Sequence, residues 1–436
     1  MKNPLTITVI TKLVTPNAGN QAISTETLRL LVEKHPDALI YAYWQESGLE
    51  KYTLARLQKG GPDPVVTLDK WVDDILKKST SGNRGKPAEG KSIRPVYQPS
   101  EKNQDYLEAV KLNTSIPPMS RRIYNKAVQI ARRPLDSMTV YRNYYRGWLD
   151  VFKQSDWVLY SPAGAVINIC ADDRVRDLLA LRIAQRLGAR IAAINQSVEV
   201  TIPLLIKLIG QVYRTFDRII VRDPESIQHL VNALVPEDKI ILVPDAAYLS
   251  RPSSGKNEKN RISERENISA GTVGIAVQPR HNGIGYSDWG KVIDMLRDKG
   301  KNVLFISHEY YTDLPAGRAL NARYGLPMLS RQYNYDEYIA MLSKLEIVIS
   351  ERYHTCVFSA LAGVPFIPIN VWKQHKMHGI VRSLEYPVPP LDNSSPDWID
   401  TLREKVEYII LNHNAIKEKL DTTIPKLRKQ AEENII

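Results

Sequence analysis

Residues 347–369, IVISERYHTCVFSALAGVPFIPI, carry the reading of the fold. The apolar, β-branched opening, with residues 346–349 as its strand, predicts a buried β-strand, and the spacing of Val357, Phe358 and Leu361 predicts a short helix. Gly363 and Pro365 stop that helix, and residues 366–369 start the next strand, which completes a βαβ unit. Ser350, Glu351, Arg352, Tyr353 and His354 fill the turn. Arg352 and His354 stand two apart where a strand ends, so an extended backbone aims both to one side. They also meet the N-terminus of the following helix, whose free N–H groups and dipole favour an anion. Ligand crevices in open α/β sheets lie at the carboxyl ends of the strands, so this turn suits a phosphate or a carboxylate. The alternative is a solvated Arg352 and a capping or core His354.

The same alternation extends in both directions. Toward the N-terminus, strands are expected at 5–11, 38–43, 157–161, 190–194, 217–221, 239–243, 272–277 and 302–306. Helices are expected at 21–34, 173–187, 288–298 and 336–345. Strands alternating with helices in each half imply two doubly wound, Rossmann-like parallel α/β domains. The polar stretch 250–270, rich in Ser, Lys, Glu and Asn without apolar period, is the expected boundary. The domains are then 1–250 and 265–395, with helices at 398–411 and 415–430 in a tail, 396–436, that packs back on the first domain. Residues 77–105 are polar and broken, and read as a mobile insertion in the first domain.

The 436 residues are enough for two cores, and 43% hydrophobic with 25% charged residues is the balance of a soluble globular protein. A net charge of +11 points to acidic partners. The two cysteines, Cys170 and Cys356, lie far apart in apolar segments and read as buried thiols of a reducing compartment. No signal peptide or membrane span is legible, so a cytoplasmic protein is expected. No cluster of His, Cys or carboxylates has metal-ligand spacing, and no metal is expected.

Several loops at strand ends carry polar or basic groups. Residues 15–21, TPNAGNQ, form a glycine loop between the first strand and its helix, able to bring backbone N–H groups against a phosphate. Gln196 and Ser197 follow the strand 190–194. Arg222 ends the strand 217–221 and faces the same crevice, with Asp223 as the N-cap of the next helix and Pro224 in its first turn; Arg222 is also readable as the ion-pair partner of Asp223. Arg280 ends the strand 272–277, and Lys373 and Lys376 follow the βαβ unit. Residues 119–153 mix basic side chains with Tyr124, Tyr141, Tyr144, Tyr145, Trp148 and Phe152. That mixture suits a membrane interface or a solvated helical face; no nucleic-acid motif accompanies it, so no nucleic-acid partner is expected.

Ser350, Arg352 and His354 form a Ser-x-Arg-x-His pattern, followed by a small-residue helix and then by Gly363 and Pro365 in Ala-Gly-Val-Pro. This resembles the signature of the polysaccharide pyruvyl transferases. The first-loop core Asn17, Gly19, Asn20 and Ala22 resembles that family's Asn-x-Gly-Asn/Asp core, Gln196 and Ser197 match its Gln-Ser pair, and Arg222, Asp223 and Ser226 match its Arg-Asp-x-x-Ser motif. Gly164 stands where relatives carry a run of glycines. The resemblance implies an architecture like the GT-B glycosyltransferases, two domains facing a cleft. It also implies transfer of the pyruvyl unit of phosphoenolpyruvate to two hydroxyls of a sugar, making a pyruvate ketal, on an acceptor often carried by a membrane lipid. An acceptor of that kind favours the membrane reading of 119–153.

Under that resemblance Arg222, Arg280, Ser350, Arg352 and Lys376 hold phosphoenolpyruvate, and Asn17, Gly19, Asn20, Gln196 and Ser197 line the substrate loops. Phosphoenolpyruvate is a co-substrate, and no cofactor is expected. An arginine's planar fork suits either of the donor's charged groups, so Arg222 and Arg352 are expected to clamp it. His354, able to give or take a proton near neutral pH, is the expected acid/base. A GT-B glycosyltransferase using a nucleotide sugar is the alternative, since fold does not settle function. A non-catalytic membrane-surface binding protein is the third reading.

Overall fold

The computed structural model describes residues 4–11, 17–43, 53–61, 63–80, 149–164, 166–252, 256–279, 286–371 and 375–436. Arg280, Lys373 and most of the segments 77–105 and 119–153 lie outside the described residues. The chain divides into two compact units. The first comprises Met1–Leu13, Thr27–Val243 and Ile435–Ile436, and the second Val14–Glu26 and Pro244–Asn434.

The first unit contains β1 (Thr6–Thr11), β2 (Leu39–Tyr43), β3 (Trp157–Ser161), β4 (Val166–Ile167), β5 (Arg190–Gln196), β6 (Val198–Glu199), β7 (Arg218–Val221) and β8 (Ile240–Leu242). Six of these form one sheet in the order β2-β1-β3-β5-β7-β8, and β4 pairs with β6. Every pairing in the sheet is parallel. All six residues of β1 are buried, the pattern of a parallel sheet covered on both faces.

The second unit contains β9 (Thr272–Ala276), β10 (Asn302–Phe305), β11 (Ile347–Ser350), β12 (Phe366–Asn370) and β13 (Leu391–Asp392), in the order β10-β9-β11-β12-β13. These pairings are parallel too. β9, β11 and β12 are buried along their whole length. In both sheets the first strand lies between the second and third, so the winding direction reverses there. Right-handed crossovers then send successive helices to opposite faces and leave a crevice at the strands' carboxyl ends. In the second unit that switch point lies between β9 and β11.

Three expectations change. The first long helix runs Ala18–Lys34 rather than 21–34, because the Asn17 side chain caps it, its Oδ1 accepting the Asn20 N–H at 3.0 Å. Gly19 and Asn20 therefore stand in a helical turn, not a loop. The stretch 250–270 is not a linker: it holds the helix Lys256–Arg265, with Ile262 buried, and the units divide earlier, between Val243 and Pro244.

The tail, too, is placed differently. The helices Trp398–Leu411 and His413–Ala431 belong to the second unit, not to a pack-back on the first. Ile416, Leu420, Ile424 and Leu427 bury one face of the last helix, which packs on the turn Ala246–Leu249 and the helix Tyr353–Leu361. Arg428 fastens it by donating to the carbonyls of Tyr248 at 3.1 Å and Ser250 at 2.9 Å.

Candidate active site

At the carboxyl end of β11 the chain turns sharply from strand into helix. The Ser350 hydroxyl accepts the Arg352 N–H at 2.9 Å and donates to the Arg352 carbonyl at 3.0 Å, which closes the turn on itself. Ser350 is fully buried, so this expected donor-binding residue shapes the turn instead of facing a ligand. Glu351, also buried, straps the turn to the end of β9: its carboxylate accepts the Gln278 N–H at 2.7 Å, and its carbonyl accepts the Gln278 side-chain amide at 2.7 Å. Arg352 occupies the N-cap position of the helix Tyr353–Leu361 in an extended conformation, and no side chain caps that helix. Its first-turn N–H groups and dipole favour an anion.

Since the helix begins at Tyr353, Arg352 and His354 are not alternate residues of one extended strand, as expected, and they take different partners. The Arg352 guanidinium pairs through Nη2 with Asp313 of the helix Tyr310–Tyr324; the carboxylate is 1% exposed, and the Arg352 Nε has no hydrogen-bond partner among the described residues. The other Asp313 oxygen accepts the N–H groups of His308 and Glu309, each at 3.0 Å, so Asp313 ties the end of β10 to Arg352. His354 faces Asp245, its Nε2 lying 3.4 Å from the carboxylate oxygen Oδ2. Asp245 is fully buried, and its other oxygen accepts the Ala247 N–H at 3.0 Å. A buried carboxylate on one imidazole nitrogen orients the ring.

A second histidine joins the first. His308, just beyond β10, is 2% exposed and lies parallel to His354, ring centroids 6.0 Å apart at 10°. Its Nε2 lies 3.3 Å from the Gly19 N–H and 3.1 Å from Asn17 Oδ1, and its carbonyl accepts the Ala18 N–H at 3.3 Å. Burial first, then the charges of His354, Arg352 and Lys376, hold its pKa well below the usual histidine value. His308 is therefore neutral at pH 7. Lys376 opens the helix Lys376–Ser383, close enough for its charge to act on His308. Gly19 presses directly on His354: a Cβ there would fall 2.0 Å from Nδ1 of the imidazole.

The second unit thus brings together Asn17, Gly19, Arg352, His354 and Lys376 from three stretches of the chain. Asn20 contributes its backbone N–H to the Asn17 cap. Cys356, one helical turn beyond Arg352, is fully buried, and its thiol is pushed up to about 12 by burial, which leaves it unreactive. Cys170, expected to be buried as well, is only partly so.

The remaining expected residues form a cluster in the first unit, at the carboxyl ends of β3, β5 and β7. Arg222 is 3% exposed and donates from Nε to the Ser197 hydroxyl at 2.7 Å; that hydroxyl donates to Asp223 Oδ2 at 2.5 Å. Ser197 therefore bridges Arg222 and Asp223. Asp223 caps the helix Pro224–Asn232 through the Ser226 N–H at 2.9 Å. Gly164 lets the guanidinium approach its backbone, since a Cβ there would lie 2.8 Å from Arg222 Nη2. Gln196 is fully buried, and its Oε1 accepts the Tyr213 hydroxyl at 2.8 Å, so its side chain serves the core and not a substrate loop.

His308, Asp313, Asp245 and Glu351 were not singled out from sequence. His308 and Asp245 each had a usable signal, a polar residue within a few positions of an expected strand's carboxyl end. Asp313 had none, because its helix, with Pro315 and Gly317 inside, was not expected. Among the described residues, no group of three His, Cys, Asp or Glu side chains is arranged to hold a metal ion, and no helix is long and apolar enough to cross a membrane.

Comparison with solved structures places the fold. The chain is similar to the UDP-GlcNAc 2-epimerase of Neisseria meningitidis bound to UDP-GlcNAc, at TM-score 0.53 and 14% identity over 95% of this chain and 93% of that one. It is similar to a glycosyltransferase from Rickettsia africae, at TM-score 0.51 and 14% identity over 99% and 94%. HepE of Anabaena in complex with UDP and glucose gives TM-score 0.51 and 8% identity over 98% and 95%. At such identities the likeness establishes the GT-B-type architecture, two Rossmann-like α/β units, and nothing about ligands. No curated protein matches the sequence. The model of one protein family, polysaccharide pyruvyl transferase, matches residues 17–373, from the Asn17 cap to beyond β12 and including every site residue named above but Lys376. With its Ser-x-Arg-x-His turn at a switch point and a family match over most of its length, the chain belongs to the polysaccharide pyruvyl transferase family.

Proposed function

We propose that the protein transfers the pyruvyl group of phosphoenolpyruvate to two hydroxyls of a sugar in a polysaccharide, glycan or lipid-linked precursor, forming a pyruvate ketal. The observation that carries this reading is the pairing, at one helix N-terminus, of a guanidinium and a carboxylate-backed imidazole, Arg352 and His354 with Asp245, with the Lys376 ammonium close enough to act on the neighbouring His308. A small donor with both a phosphate and a carboxylate matches that charge.

The chemistry asks for little else. C3 of the donor takes a proton while a sugar oxygen bonds to C2. The bond from C2 to the phosphate oxygen then breaks, and the second sugar oxygen takes its place. Of the two hydroxyl protons, one replaces the proton delivered to C3 and the other leaves with inorganic phosphate. In this scheme Arg352 and Lys376 hold the donor's anionic groups, and His354, oriented by Asp245, delivers and recovers the proton. General acid–base help of this kind is worth about 10²- to 10⁴-fold. Segment 119–153, basic and aromatic, is the proposed contact with a membrane carrying a lipid-linked acceptor.

The test is incubation with labelled phosphoenolpyruvate and a panel of lipid-linked and nucleotide-linked sugars, with thermal stabilisation by phosphoenolpyruvate and by nucleotide sugars measured alongside. Pyruvyl incorporation with stabilisation by phosphoenolpyruvate supports the proposal. Stabilisation by a nucleotide sugar alone would replace it with glycosyl transfer. His354→Ala should bind the donor and transfer nothing; turnover in that variant would remove His354 from its role.

A further inference from the structure

We propose that His308 is the positioning residue of this site: its imidazole receives the Gly19 N–H and thereby seats the 17–20 segment against His354, fixing the angle at which His354 meets Asp245. The inference rests on the reading above that His354 moves the proton.

The contacts run in one direction. Gly19 lies in the first turn of the helix Ala18–Lys34, where a backbone N–H has no acceptor within the helix. The acceptor it meets is His308 Nε2, at 3.3 Å. For Nε2 to accept the Gly19 N–H it must be unprotonated, which puts the ring proton on Nδ1; Asn17 Oδ1, 3.1 Å from the same nitrogen, then accepts the Asn20 N–H. A neutral ring is required for this, and burial first, then the neighbouring His354, Arg352 and Lys376, disfavour its protonation, while Asp313 is engaged with the His308 backbone and with Arg352. Tyr338 and Phe358 fill the other sides, at 6.0 and 6.1 Å between centroids.

Held in this way, Gly19 becomes one wall of the His354 site. The clearance is too small for any side chain, with a Cβ at residue 19 falling 2.0 Å from Nδ1 and 2.2 Å from Cγ of His354. Phe358, at 6.2 Å, and Tyr353, at 5.0 Å and perpendicular, enclose the remainder of the ring. Asp245 takes its edge. If the Gly19 N–H loses its acceptor, the segment keeps the Ala18 N–H bond to the His308 carbonyl but loses the contact that seats Gly19, and the imidazole loses the wall that sets its tilt. Among the described residues His308 Nδ1 is buried with no partner, an arrangement a packing role alone does not explain, since the fold keeps a polar ring where an apolar one would pack.

Three variants test this. In His308→Leu the ring volume is largely kept and the acceptor lost. In His308→Gln the amide oxygen reaches the place of Nε2. In His308→Asn the shorter amide ends near Nδ1 instead. Leu should lower kcat by about a hundredfold with the dissociation constant for phosphoenolpyruvate within about twofold of the parent. Gln should recover kcat to within about tenfold, and Asn should not. The His354 ring resonances, identified by their loss in His354→Ala, should move in Leu and Asn and stay in Gln.

That last readout needs no turnover, so it separates failure of this inference from failure of the pyruvyl reading. Native kcat with unmoved His354 resonances in Leu would overturn the assignment. If Leu does not fold, Asn against Gln decides: equal kcat and equal resonances in the two refute a role specific to the Nε2 acceptor.

Discussion

Gly19→Ala adds one methyl group where there is no room for it. A Cβ at that residue falls 2.0, 2.2 and 2.6 Å from Nδ1, Cγ and Cβ of His354, against about 3.5 Å for an ordinary carbon contact. Segment or ring must retreat by about 1.5 Å. The effect on stability is the difference of two terms. Overpacking costs about 1–3 kcal/mol, while alanine in a helix gains up to about 1 kcal/mol over glycine. Gly19 is not among the glycines with positive φ, so the backbone accepts alanine without strain. The net loss is about 0–3 kcal/mol, a few degrees of Tm.

Turnover responds far more steeply. A misplacement of about 1 Å costs about 10²-fold in rate, so kcat should fall at least a hundredfold while the dissociation constant for phosphoenolpyruvate changes little. Labelled-pyruvyl transfer, calorimetric donor binding and a thermal melt measure the three quantities. Pairing the change with His354→Ala removes the two shorter contacts and leaves the one at 2.6 Å, so the combined stability loss should be smaller than the sum of the single losses. Native kcat in Gly19→Ala would refute the reasoning, because the chemistry would then not depend on where the ring sits.

Other substitutions probe other contacts. Arg352→Ala leaves the Asp313 carboxylate buried without its cation, which should cost about 3–5 kcal/mol, and Arg352→Lys should keep part of that stability while losing about tenfold or more in donor affinity, because the planar fork is gone. Calorimetric titration and urea unfolding separate the two losses. Ser197→Ala takes the hydroxyl from between Arg222 and Asp223 and should destabilise the first unit by about 1–3 kcal/mol, read from the urea midpoint.

The pH dependence of stability has a definite sign. The His308 pKa is well below 6.5 in the folded protein, so between that value and about 6.5 the unfolded chain binds a proton the folded chain does not. Its contribution is complete above about pH 6.5 and is lost as pH falls toward the folded value, at about 1.4 kcal/mol per pH unit. Urea midpoints between pH 7 and pH 5 should show a slope that His308→Gln reduces by that amount.

What the sequence shows of this molecule follows from how far each contact reaches along the chain. The strands of both sheets are written as short apolar runs, since a parallel strand is buried on both faces and needs no partner to announce it. The Ser350–Arg352 turn is equally local, strand, polar turn and helix within a dozen residues. The 17–20 segment misled for a local reason as well. Asn, Gly and Asn favour turns when they stand alone, yet Asn17 here caps a helix that starts at once. Pro315 and Gly317 hid the helix Tyr310–Tyr324 in the same manner, because both are read as breakers.

What orients the chemistry is spread over longer separations. Arg352 meets Asp313 across 39 residues, His354 meets Asp245 across 109, and Gly19 meets His308 across 289. None of these pairs shares a periodicity, and in each the residue that orients is of a common type at an ordinary loop position. A pattern in sequence records which residues react with a ligand, because those recur in a fixed local turn. The residues that hold them in place are fixed only when β9, β10 and β11 bring their carboxyl ends side by side, and that adjacency is a property of the sheet order. His308 stood near an expected strand end, but its meeting with Gly19 is visible only in the fold.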